Sequence, residues 1–301
     1  MPTVQTTVDM VDPFQFSQFY NSYFQPGGTS TRFTTSNGIL TWTVTGFGFT
    51  YTDGVPNAGT VTGISVAGIS VTGLSMPLSD FYAAISTNSP DVFTAFIFAG
   101  NDTITGNGVS LYGYAGNDTI NAGDGNDLVY GGAGSDTING GNGSDLLYGG
   151  AGDDTIDGGA GVDRIYGGAG SDSLTGGAGA DVFAWTLADR GTTAAPPTDT
   201  IADFNTAAPS AGGDVLDLRD LLSGEHAAGA GNLSNFIHFS TDGTSTTIQI
   251  STTGAFSGSN YGTATDQTIV LQNVNLFTGG LTTDQQILQD LLTKAKLVVD
   301  G

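Results

Sequence analysis

The sequence has no cysteine, one glutamate, two histidines and six basic residues among 301. Each shortage closes a class of function. Without cysteine there is no thiol nucleophile, no thiolate metal centre and no disulfide framework, although disulfides are optional outside the cell, so their absence assigns no compartment. Neither H-E-x-x-H nor G-x-S-x-G occurs, and the histidines, His226 and His238, stand alone, with His238 on an apparent strand as a surface or satisfied structural residue. With Glu225 the sole glutamate, a Glu-based acid–base pair is excluded, and no aspartate pair stands out from the rest. The expectation is a protein that is not an enzyme, with a non-obvious secreted enzyme as the minor alternative. Against 29 acidic residues, six basic ones leave a formal charge of -23, which repels nucleic acid and anionic lipid. No apolar run reaches membrane-spanning length, so neither a transmembrane segment nor a membrane-inserting cytolysin is expected, and the first residues lack the basic and apolar regions of a signal peptide.

What is abundant is glycine, at 48 residues, and aspartate, which makes up every acid except Glu225. Acidity for solubility would mix Asp and Glu. Asp beside Gly suits tight turns that gather short carboxylates around a hard cation. The two residues are organised: eight contiguous nonads run from Gly113 to Ala184, GYAGNDTIN, AGDGNDLVY, GGAGSDTIN, GGNGSDLLY, GGAGDDTID, GGAGVDRIY, GGAGSDSLT and GGAGADVFA. They share G-G-x-G-x-D-x-U-x, with U apolar. A partial copy occupies Phe98 to Thr105 around Asp102, followed by a seven-residue unit, Gly106 to Tyr112, without aspartate. A flexible Gly/Asp linker has no reason to keep an apolar residue at the eighth position of every nonad.

Glycines let the backbone turn through positive φ and expose its carbonyls, the sixth-position Asp supplies a carboxylate, and the last three residues form a short strand. Two nonads make one coil, so turns 18 residues apart stack at the strand spacing of about 4.8 Å. The expected Ca²⁺ ligands are Asp118/Asp136, Asp127/Asp145, Asp136/Asp154, Asp145/Asp163, Asp154/Asp172 and Asp163/Asp181, about six ions, completed by carbonyls of the Gly131, Gly140, Gly149, Gly158, Gly167 and Gly176 turns. Asp102 belongs to a further, imperfect site. The inward residues Ile120, Val129, Ile138, Leu147, Ile156, Ile165, Leu174 and Phe183 form two columns and a thin core. So narrow a core cannot offset backbone ordering plus repulsion among stacked carboxylates, and the roll should fold on binding Ca²⁺. The nonads resemble the RTX, or hemolysin-type calcium-binding, repeat, known as a Ca²⁺-binding β-helix repeat. The resemblance implies an all-β chain: a Ca²⁺-stabilised right-handed parallel β-roll over 98–184.

Sorting nonads by parity separates two outer faces. Odd strands are polar (Thr-Ile-Asn, Thr-Ile-Asn, Thr-Ile-Asp, Ser-Leu-Thr). Even strands place Tyr112, Tyr130, Tyr148 and Tyr166 at a spacing of 18, beside Leu128 and Leu146, a stripe that flanking segments or another copy would cover.

Residues 1–97 carry no nonads. Asp12-Pro13 begins a short helix with Phe16, Phe19, Tyr20 and Tyr23 on one face, residues 39–51 alternate as a strand, and Val61 to Ser75 is three pentads, VTGIS, VAGIS and VTGLS, which read as a solenoid-like β cap. Downstream, 185–301 holds strand-like segments at Asn235–Ser240, Thr246–Ser251 and Asp266–Leu271 and a capped helix at 283–292. From about Asp199 on, it resembles the β-rich carboxy-terminal target domain of RTX proteins exported by type I secretion. That resemblance implies recognition of the C-terminus by the secretion machinery and residence outside, or on the surface of, a Gram-negative bacterium. Asp199, Asp203, Asp214 and Asp217 are further candidate Ca²⁺ ligands, with capping and turn roles as the alternative. For function the sequence leaves two readings: a structural protein that self-associates as a surface-layer or fibre subunit, or a soluble Ca²⁺-dependent adhesin for a cell-surface glycan.

Overall fold

The computed structural model describes residues 30–34, 41–52, 55–66, 69–77, 100–106, 110–222, 233–257 and 260–299, with 30–77 described as backbone. Phe16, Phe19, Tyr20, Tyr23 and His226 lie outside the described residues. Four strands come first: β1 (Ser30–Thr34), β2 (Thr41–Thr52), β3 (Val55–Val66) and β4 (Ile69–Pro77), an antiparallel meander. The pentads thus make an antiparallel pair, with Ile64 opposite Val71, and not solenoid coils. Only two residues separate β3 from β4, enough for a hairpin, whereas a parallel return needs a crossover of about a dozen.

The nonads form the roll. One sheet contains β5 (Thr103–Thr105), β7 (Thr119–Asn121), β9 (Thr137–Asn142), β11 (Thr155–Ala160) and β13 (Ser173–Ala178). The facing sheet contains β6 (Ser110–Ala115), β8 (Leu128–Ala133), β10 (Leu146–Ala151), β12 (Arg164–Ala169) and β14 (Val182–Ala184). Successive partners are parallel and 18 residues apart, as in Leu147↔Ile165 and Ile138↔Ile156, so two nonads do make one coil. The seven-residue unit keeps Tyr112 opposite Tyr130.

Most strands are six residues long, not three, because they run on into the first three positions of the next nonad, as Gly132↔Gly150 pairing shows. Those glycines sit at φ 123° and 121°, a region that side chains rarely enter, so only glycine extends the ladder there cheaply. Tyr114 holds the same position in the first coil, at φ 73°. Inward residues from Ile104 to Phe183 are buried, one per strand. Fifth-position side chains brace the turns: Asn117 Oδ1 accepts from Ser135 N at 3.0 Å, and Asp153 Oδ1 from Ser171 N at 2.8 Å. The repeat pattern leaves this position open, yet it is Asn, Ser or Asp in six of the eight nonads.

Both sheets run on past residue 184. On the first, β15 (Thr198–Ile201) pairs with β13, followed by β19 (Gln267–Leu271), β18 (Thr246–Ile250) and β17 (Ile237–Thr241). On the second, β16 (Val215–Asp217) and β20 (Leu297–Val298) follow β14. The apolar columns of the roll and the downstream segment form one continuous core, through Trp185, Phe204, Leu216 and Ile269. Helix α1 (Tyr261–Ala264) is one turn, and α2 (Asp284–Thr293) starts at a Thr283/Gln286 capping box. His238 Nδ1 lies 2.8 Å from Asp284 Oδ2 and its ring stacks on Tyr261 at 3.5 Å, so it clasps α2 to β17 as a satisfied structural residue.

Candidate metal sites

The sixth-position aspartates fall at the two edges of the roll and form two ladders. On one, the main-chain N–H of Asp102, Asp118, Asp136 and Asp154 each donates to Oδ1 of the Asp one coil on, at 2.7 to 2.9 Å, ending at Asp172. On the other, Asp127, Asp145 and Asp163 donate likewise, ending at Asp181. Seven carboxylates, from Asp118 to Asp172 on the first ladder and from Asp145 to Asp181 on the second, are thereby fixed by one oxygen. The other oxygen, Oδ2, of all nine aspartates is buried without a hydrogen-bond partner. Buried carboxylate oxygens of this kind are strongly destabilising unless a proton or cation meets them.

Main-chain carbonyls converge on the same places. A Cβ at Gly140 would come 2.6 Å from both Asp145 Oδ2 and the carbonyl oxygen of Gly158, and at Gly158 it would come 2.7 Å from Asp163 Oδ2 and the Gly176 carbonyl. Gly113, Gly131 and Gly149 face the corresponding pairs, Asp118 with the Gly131 carbonyl, Asp136 with Gly149 and Asp154 with Gly167. Five carboxylate-and-carbonyl cradles result, each all-oxygen and each closed to any side chain at its glycine. Among the described residues no three His, Cys, Asp or Glu side chains converge on one point, so a hard cation here is held by one or two carboxylates plus carbonyls. Orphaned oxygens and a glycine-lined oxygen cradle fit Ca²⁺, which Asp Oδ2 and the turn carbonyls would hold.

The row is interrupted once. Ala122 stands where the other cradles have their first glycine, in the nonad that carries Asp127. β7 stops at Asn121, whereas β9 and β11 run three residues further. Position 1 of GGxGxDxUx reads as a turn glycine in sequence; that it is the space for the carboxylate appears only in three dimensions.

The four downstream aspartates differ from the nine, because protein donors engage both oxygens. Asp199 continues the first ladder, with Oδ1 accepting from Asp172 N, but its Oδ2 accepts from Trp185 Nε1 and Gln267 Nε2 at 2.6 and 2.7 Å. Asp214 continues the second, accepting from Asp181 N and Asn205 N. Asp203 accepts from the N–H groups of Gly176 and Gly177. Asp217 is ion-paired to Arg164 and Arg219, which hold its carboxyl at about 2 despite its burial.

Burial pushes the repeat carboxyls the other way. Asp102 and Asp154 rise to about 7 and Asp118, Asp163 and Asp172 to about 6, with desolvation the largest cause and neighbouring aspartates adding to it. The folded state therefore holds protons that the unfolded chain releases near pH 4, and metal-free stability falls as pH rises from about 4 to about 7. In chelator, circular dichroism should show more folded roll at pH 4.5 than at pH 7.5, and in limiting Ca²⁺ the dependence should reverse, since protons and Ca²⁺ compete for the same oxygens. A metal-free roll that is more stable at pH 7.5 would contradict this ordering.

The outer face of the second sheet carries the tyrosine stripe as a continuous stack: Tyr112, Tyr130, Tyr148 and Tyr166 follow at ring-centroid distances of 5.1, 4.6 and 4.7 Å, within 12° of parallel. Leu128 and Leu146 flank it, half-buried. Arg164 closes one end, donating from Nε to the Tyr166 hydroxyl at 2.7 Å.

Two parallel sheets wound in 18-residue coils, with carboxylate and carbonyl cradles along both edges, define a calcium-binding β-roll. Residues 112–183 match the family model of the RTX calcium-binding nonapeptide repeat in three overlapping segments, 112–147, 130–165 and 148–183, so the roll is built of RTX-type repeats. Solved structures similar to it include two subunits of a mannuronan C5-epimerase of Azotobacter vinelandii. AlgE6R2 has 24% identity and a TM-score of 0.35, covering 56% of this chain and 89% of its own. AlgE6R3 has 22% identity and a TM-score of 0.29, covering 58% and 83%. The epimerase activity is a property of that enzyme. No curated protein matches the chain. Among the described residues no helix is long and apolar enough to cross a membrane.

Proposed function

We propose that this is a secreted structural protein, not an enzyme, that folds on Ca²⁺ outside the cell and self-assembles at the cell surface or in extracellular matrix. The observation that carries the calcium half is the set of buried Oδ2 atoms on Asp118, Asp136, Asp145, Asp154 and Asp163, each without a hydrogen-bond partner, facing a turn carbonyl and held in place by a ladder bond to Oδ1 of the same carboxylate. Sites of this open, carbonyl-rich kind in extracellular modules bind at about 10⁻⁴ to 10⁻³ M, so the chain stays unfolded in the cytosol and orders after export through a type I machinery reading its C-terminus. Asp118, Asp136, Asp145, Asp154 and Asp163 are the principal ligands, and Asp199, Asp203, Asp214 and Asp217 serve structure.

The self-assembly half is supported by the stacked tyrosines, flat and half-exposed, which offer a second copy an aromatic surface already ordered by the sheet beneath. Light scattering and electron microscopy in millimolar Ca²⁺ and in chelator test it: ordered polymers that dissolve on chelation are expected. A monodisperse monomer at high concentration would sink assembly and favour the adhesin reading. Ala122→Gly, which gives the Asp127 nonad the first-position glycine of the other cradles, is expected to add one bound Ca²⁺ by native mass spectrometry; an unchanged count means that Ala122 does not limit that site.

A further inference from the structure

The second carboxylate ladder does not end on a cradle. Beyond Asp181 it reaches Asp214, and there the described chain places a cation of its own. Lys296 is 1% exposed, and its ammonium donates to the main-chain oxygens of Asn205 at 2.8 Å and Asp214 at 2.9 Å. The same two residues form the end of the ladder, where Asn205 N donates to Asp214 Oδ2 at 2.7 Å. Gly213, next to Asp214, leaves the room: a Cβ there would collide with Lys296 Nζ. Lys296 also leads directly into β20, since its carbonyl accepts from Leu216 N and the Val298 carbonyl from Leu218 N, adding β20 to the sheet of β16.

A lysine is costly to bury unless something demands its charge. Here two carbonyls and a neighbouring carboxylate do, the same kind of oxygen donors that form the carboxylate-and-carbonyl cradles of the roll. We propose that Lys296 is a tethered cation that closes the second ladder, so that Ca²⁺ loading of the roll and burial of the C-terminal tail are one event. The last coil is then held by the protein's own ammonium, and the tail is accessible only while the roll is unfolded. This rests on the calcium reading in one respect, that chelation unfolds the roll.

The chain has only two lysines, and Lys294, exposed and paired with Asp290 at 2.8 Å, is an internal control two residues away. Labelling of the full chain with an N-hydroxysuccinimide ester, followed by peptide mass mapping, reads both. In Ca²⁺, Lys294 is expected to react and Lys296 to react at least tenfold more slowly; in chelator the two rates converge. Equal rates in Ca²⁺ would overturn the proposal, as would continued protection of Lys296 in chelator when circular dichroism shows the roll unfolded. If circular dichroism shows the roll folded in chelator, the calcium reading is what fails. Lys296→Met keeps the apolar stem and removes the charge. It is expected to raise the Ca²⁺ midpoint of folding several-fold, and an unchanged midpoint would make the lysine a packing residue only.

Discussion

In chelator at pH 7.5 the chain is expected to lose most of the far-ultraviolet signal of its roll, and millimolar Ca²⁺ to restore it in one cooperative transition. Each strand of the roll contributes one inward side chain, such as Ile138, Leu147 or Ile156, so apolar burial per ordered residue is small. Against it stand about 1 to 2 kcal/mol of backbone entropy per residue, in a segment rich in glycine, and rows of buried carboxylates with an unmet oxygen each. Cation binding removes the second penalty and cross-links successive coils, so binding free energy becomes folding free energy. The downstream segment shares the core through Trp185 and Phe204 and is expected to lose protection with the roll. Differential scanning calorimetry across a Ca²⁺ series is the check: a roll melting at the same temperature with and without Ca²⁺ would refute it.

Asp145→Ala should weaken Ca²⁺-dependent folding much more than Asp181→Ala. The Asp145 side chain accepts at Oδ1 from Asp127 N in the preceding coil and faces the Gly158 carbonyl of the following coil with Oδ2, so the carboxylate itself joins three successive coils. Asp181 Oδ1 accepts from Asp163 N at 2.9 Å, but the nearest atoms to a Cβ at Gly176 all belong to Asp181, with no carbonyl from a following coil. A charge-assisted hydrogen bond contributes about 1.5 to 3 kcal/mol. Asp145→Ala is therefore expected to raise the Ca²⁺ midpoint about tenfold or more, or ~1.4 kcal/mol, and Asp181→Ala by about threefold. Equal shifts in calorimetric Ca²⁺ titrations would mean that the ladder does not share its ligands.

The nonads were legible because each position has a separate job. An apolar residue every ninth position fixes the inward columns, the aspartate fixes the edges, and the 18-residue coil follows from two strands per turn; register pairs such as Leu128↔Leu146 agree. The tyrosine stack was legible for the same reason, since a parallel in-register sheet must place identical positions above one another. Downstream, Asp199 looks in sequence like a tenth ligand. What distinguishes it is a tryptophan 14 residues earlier and a glutamine 68 residues later, and no local pattern encodes that meeting. Asp217, likewise, is claimed by Arg164 from 53 residues away.

The sequence by itself therefore determined the roll, its metal and its two unlike faces, because a short repeat makes every contact of one coil with the next a local fact. Only the tertiary structure decided where the carboxylate rows stop. It shows the pentads as a hairpin, the segment after residue 184 as a continuation of both sheets, and a lysine near the C-terminus as the cation at the end of one row. Those are contacts between residues far apart in the chain, set by packing and charge compensation in the assembled core, and a repeat carries no information about what it ends against.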